Sequence, residues 1–174
     1  MAYGENVYGL RDVKITNIAG TTQVDLPSAM ELRFSERVKS GELAGDDATV
    51  AVAARSDAAE WSLSNGGISL EAYALLTGRT VATSGTTPNE TTTLTGEKTE
   101  GFPYVKIYGQ VIDDSEASDI HCLIYKAKIT SGLEGTFQDG DFWVSQCSGV
   151  AIDDGTNGTF DFVRNETKTA VPAS

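Results

Sequence analysis

The stretch YVKIYGQVIDDSEASDIHCLIYKAKIT, residues 104–130, decides the fold class. Its first run, 104–113, places Val105, Ile107 and Val111 on one face of an extended chain. Its second, 120–130, returns with comparable apolar content. The turn between them holds Asp113, Asp114, Glu116 and Asp119. Two β-rich runs joined by a short polar turn predict an antiparallel hairpin. Pro103, just ahead of the first run, suits a strand's entry.

Period-two patterning continues outward from this hairpin. Residues 12–18 read as a strand. In 29–37, Met30, Leu32 and Phe34 share one face, and Glu31, Arg33 and Ser35 the other. One apolar and one wet face fit an antiparallel sheet. Residues 38–48 (VKSGELAGDDA) lack periodicity and read as a long loop. Short strands follow at 49–55 and 59–64. Glu42, Asp46, Asp47, Asp57 and Glu60 make this region acidic. Residues 69–77 predict the one helix, capped by the Ser69 hydroxyl and ended by Gly78 in the left-handed conformation. Ile68, Ala72, Leu75 and Leu76 would form its packing side. Residues 83–100 read as a flexible loop with a weak strand near 91–95. The chain closes with strands at 142–153 and 159–165. Asp154 to Gly158 joins them, and Asn157-Gly158 signals a hairpin turn. The predicted class is mainly β: an antiparallel sandwich or barrel with one short flanking helix. The 174 residues read as a single domain, with flexible termini at 1–8 and 168–174.

Net charge is −12 and pI about 4.4, which disfavours binding nucleic acid through clustered Lys and Arg. An acidic surface that lets DNA pass without sticking is compatible with this charge, as is plain solubility. No basic-then-apolar leader and no membrane-length apolar run are present in the sequence. Cys122 and Cys147 read as reduced thiols.

Chemistry is sparse. His121 is the sole histidine, and neighbouring Cys122 points to the opposite face of a strand. A Cys147–His121 pair is weighed against a structural histidine, which is the simpler reading. No nucleophile elbow or phosphate loop occurs. Asp153-Asp154-Gly155-Thr156-Asn157-Gly158 superficially resembles a calcium loop but lacks the later bidentate Glu, and a turn is needed there. Asp139-Gly140-Asp141 reads as a turn as well. Trp61, Trp143, Phe142, Phe160 and Phe162 read as core or interface residues. No catalytic residue, cofactor or metal is expected. The competing classes are a carbohydrate-binding or other β-sandwich binding module, and a glycosidase using an acid pair.

The order of segments then matters more than any motif. Residues 8–15 (YGLRDVKI), 60–78 (EWSLSNGGISLEAYALLTG), 104–109 (YVKIYG), 119–135 (DIHCLIYKAKITSGLEG) and 137–153 (FQDGDFWVSQCSGVAID) resemble the tail tube, or major tail, proteins of siphophages. The resemblance spans residues 8–167 and is one of size, order and phrasing. It implies a β-sandwich with a flanking helix, six copies to a ring, and rings stacked into a tube for the phage genome. It implies a virion protein made in the host cytoplasm. Its partners would be further copies, with tape-measure, tail-terminator and distal-tail proteins, and no membrane. A long loop reaching the next ring would correspond to Gly41, Glu42, Leu43, Ala44, Gly45, Asp46 and Asp47. Glu31, Glu60, Asp113 and Asp114 are the acids expected along the lumen.

Overall fold

A computed structural model describes residues 7–46, 48–67, 69–113, 117–136 and 138–172. The elements run β1 (Val7–Asn17), β2 (Gln23–Leu26), β3 (Ala29–Gly45), β4 (Ala48–Gly66), α1 (Leu70–Thr77), β5 (Val81–Ser84), β6 (Thr91–Leu94), β7 (Val105–Asp113), β8 (Asp119–Ile129), β9 (Glu134–Gly135), β10 (Val144–Ala151) and β11 (Phe160–Asn165). The fold is mainly β and antiparallel, with one short helix.

The predicted hairpin 104–130 is the spine: β7 and β8 pair from Val105↔Ala127 to Ile112↔Asp119. Ile107 and Ile124 are fully buried, each worth about 1.5–3 kcal/mol against exposure. The main sheet has the order β2-β1-β7-β8-β10-β4-β3. It branches at β8, whose residues Ala127–Ile129 pair with β10 while Asp119–Ile124 pair with β11. The sheet rolls until its far strand meets the branch: Phe34 of β3 lies 4.3 Å from Phe160 of β11, ring centre to ring centre. Val13, Ile15, Trp61, Leu63, Val105, Ile107, Ile124, Ala127, Ile129 and Cys147 fill the interior.

Gly149 makes part of that closure possible. A Cβ there would lie 2.0 Å from the Lys128 carbonyl oxygen and 2.7 Å from the Trp61 ring, so β10 can approach β8 over Trp61 only without one. Helix α1 covers one end of the roll with Ala72 and Leu76. Its caps form as predicted. The Ser69 hydroxyl accepts from the Ala72 N–H, and Gly78, at φ 69°, donates its N–H to the Ala74 carbonyl. Of the predicted packing side, Ile68 lies outside the described residues.

Four expectations are corrected. Residues 38–48 are not a loop. β3 and β4 continue as a ladder from Arg37↔Ala58 to Gly45↔Ala48, with every residue of β3 past Phe34 and of β4 before Ala58 exposed. A hairpin clear of the body has no buried face, so it carries no period-two signal. The strands read separately at 49–55 and 59–64 are accordingly one strand, β4. Met30 is 63% exposed because a register shift between Ala29 and Glu31 puts it out of phase with Leu32. β10 and β11 do not form a hairpin; both run antiparallel to β8, in tandem along the same edge. The turn still forms, the Asp154 carboxylate accepting from the backbone N–H groups of Thr156 and Asn157 at 2.8 and 2.6 Å. The region 83–100 is structured in part: β5 pairs with β6, which holds the weak strand expected near 91–95.

Candidate assembly surfaces

Three surfaces stand out. The first is the β3–β4 arm. Across its ladder Glu42 faces Val52 and Leu43 faces Ala51. Leu43, Val50 and Val52 are 62–67% exposed, more apolar surface than an isolated hairpin gains by presenting to water. Gly41 to Asp46, the residues the resemblance assigned to stacking, lie at the tip. Asp46, at φ 34°, forms the turn; Asp47 is outside the described residues.

The second is the outward face of β3, β4 and β10. Alternation across the register sets Glu31, Arg33 and Ser35 beside Ser64, Ser62 and Glu60. Gln146 and Ser148 continue the row on β10, with Glu134 of β9 opposite Gln146. The result is a wet, hydroxyl-rich wall. Two of the four acids predicted to share a surface, Glu31 and Glu60, are on it. Asp113 is not: it ends β7 opposite Val7, its N–H donating to the Ser118 carbonyl. Asp114 lies outside the described residues.

The third is a C-terminal strap that the sequence did not reveal. Residues 168–172, the described part of the tail expected to fray, lie against the side of β7–β8 that faces away from the core. Val171 is 2% exposed and packs with Tyr108 and Leu123. Asp119, fully buried, clasps the strap. Its Oδ2 accepts from the Thr169 N–H at 2.7 Å and from Gln110 Nε2 at 2.6 Å; its Oδ1 accepts from Asn165 Nδ2 at 2.7 Å. Burial alone would raise the carboxyl's pKa. The Thr169 N–H, the Asn165 and Gln110 amides and nearby His121 outweigh it and bring the pKa below its ordinary value. The one legible signal was Asp119-Ile120-His121, an acid and a histidine two apart in an apolar strand and hence on one face.

His121 belongs to this clasp. Its Nε2 lies 3.2 Å from Asp119 Oδ2 and 3.1 Å from the Thr169 carbonyl oxygen. Both neighbours accept, so Nε2 carries the hydrogen. Cys147 sits in the core, on the other side of the sheet, so the structure does not bring these two together. Burial pushes the Cys122 and Cys147 thiols up to about 11. Among the described residues no three metal-ligating side chains converge, and no helix is long and apolar enough to cross a membrane. Of the aromatics, Trp61 is core and Phe160 packs against it. Phe162 is 59% exposed on a cluster with Phe34 and Phe160, and Phe142 is 91% exposed.

A rolled antiparallel sheet with one capping helix and a long bare arm can now be set beside known proteins. No family model and no curated protein sequence matches the chain. Among solved structures it is similar to a chain in the cryo-EM structure of an extracellular contractile injection system, the PVC sheath–tube complex in its extended state. The TM-score is 0.52 at 12% identity, over 95% of this chain and 93% of the other. The likeness is one of fold. It runs through almost the whole of both chains.

Proposed function

We propose that this chain is the structural subunit of a siphophage-type tail tube. Copies close into six-membered rings, rings stack, and the hollow stack conducts phage DNA during ejection. The chain acts in the virion, after synthesis in the host cytoplasm, with tape-measure, tail-terminator and distal-tail proteins as partners. The observation that carries this reading is the exposed β3–β4 arm on a rolled sheet, in a fold shared along nearly its full length with a component of a sheath–tube complex.

Two features support it. The arm displays apolar side chains that a solitary subunit leaves in water. The wall containing Glu31 and Glu60 offers small hydroxyls and carboxylates around Arg33, a mixed polar surface on a chain of net charge −12, which suits a lumen that does not hold phosphate. No catalytic role is assigned, in keeping with His121 being 3% exposed and engaged by Asp119 and Thr169. A carbohydrate-binding module built on Trp61 is disfavoured, since that ring is 2% exposed in the core.

Negative-stain microscopy of concentrated protein, with light scattering, tests the proposal. Rings or tubes of uniform diameter are expected. Strict monomers at every concentration and salt would exclude it.

A further inference from the structure

The arm is electrically divided along its length. Where it leaves the body, Arg33, Arg37, Lys39 and Arg55 lie on its outward face, with Asp57 and Glu60 as the carboxylates on that stretch of face. Asp57 is shared: its Oδ1 is 3.2 Å from Arg37 Nε and its Oδ2 is 2.5 Å from Lys39 Nζ. That sharing holds its carboxyl below the ordinary value, Lys39 contributing most and Arg37 next. Lys39 stands directly opposite Arg55, so two cations face each other across the ladder. Like charges so placed destabilise a hairpin. Arg55 and Arg33 have no ionic partner among the described residues.

The outer part of the arm is the reverse. Residues 40–54 hold no lysine or arginine, and their described charges are Glu42 and Asp46. Around these stand the exposed side chains of Leu43, Val50 and Val52. One arm therefore carries an apolar tip with carboxylates and a base with unpaired guanidinium groups on long aliphatic stems.

We infer that the base of one arm receives the tip of the arm from a second copy, Glu42 and Asp46 meeting Arg33 and Arg55. This rests on the self-assembly proposed above and names the contact that carries it. A second copy is favoured over an unrelated acidic partner because one chain holds both halves, apolar and ionic. Such a contact joins unlike surfaces, so it repeats from copy to copy instead of ending at a dimer. Nucleic acid fits less well, since the chain's net charge of −12 opposes its approach to phosphate.

The test uses Arg33→Glu with Arg55→Glu as the base variant, and Glu42→Lys with Asp46→Lys as the tip variant. All four residues are exposed and outside the core, so melts of the base variant should match the parent, and those of the tip variant, which alters the left-handed turn at Asp46, should fall by no more than a few degrees. The parent should assemble, less readily as salt rises. Each variant alone should need at least about tenfold more protein to assemble, having like charges at both ends of the contact. An equimolar mixture should recover assembly, because the tip of each then meets the opposite charge on the base of the other. A base variant that assembles at the parental concentration, or a mixture that stays dispersed while the parent assembles, overturns this contact alone. A parent that never assembles overturns the self-assembly reading beneath it. Protection of Arg33 and Arg55 by duplex DNA in place of a second copy also overturns the assignment.

Discussion

Asp119 shows how one residue can hold a chain terminus. Its carboxylate is fully buried and meets donors from three separate segments: Gln110, Asn165 and the Thr169 backbone. Asp119→Asn keeps the shape but turns one acceptor into a donor facing other donors. Urea denaturation should show a loss of about 2–3 kcal/mol, the scale of hydrogen bonds to a charged group. The pH dependence has a definite sign. The carboxyl's folded pKa is below its ordinary 3.8, so the charge stabilises the fold above that value. The stability difference between parent and variant should be constant at neutral pH and shrink as pH falls below about 3.8. Little of this clasp was legible in advance. Its members stand at 110, 119, 121, 165 and 169, too far apart for any local pattern. Only Asp119 and His121, two apart, left a trace. The caps of α1 were legible in full because Ser69 and Gly78 each act within one turn of the helix.

Among elements the arm is the most informative. Core-facing strands announce themselves by alternation, and β7 and β8 were readable for that reason. The arm satisfies its backbone internally, strand on strand, while leaving both faces wet, so its sequence looks like a loop. Its glycines, Gly41 and Gly45, strengthen that impression. Structurally it is separable. Replacing residues 40–54 by a two-residue Asn-Gly turn between Lys39 and Arg55 should leave the melting temperature within a few degrees of the parent, because nothing removed belongs to the core. The same variant should fail to form rings or tubes by light scattering. Normal tubes would relocate the assembly contacts to the body of the sheet.

At the scale of the molecule, the proposed tube requires one sheet face to turn inward, and the wall of Glu31, Ser62, Ser64 and Ser148 is the candidate. Ser62→Cys tests it by labelling. Cys122 and Cys147 are poor competitors near neutral pH, because burial lifts their thiols to about 11 and keeps them protonated. A bulky polymer-linked maleimide should modify the new cysteine in dispersed subunits and be excluded from assembled tubes, while a small maleimide reaches both. Equal bulky labelling in both states would place that wall outside. The topology has a further consequence, in the order of synthesis. β3 and β4 leave the ribosome early, yet β4 joins the rest of the sheet through β10, whose residues begin at Val144. Until then the arm belongs to an unfinished sheet, and β8 lacks both strands of its branched edge. A released fragment ending before Val144 should be readily cleaved by protease within the body-facing half of β4, and one ending after Asn165 should resist there. Under the proposed self-assembly, a subunit whose synthesis has not passed Val144 lacks the finished sheet on which its arm is mounted, so assembly would follow completion of β10.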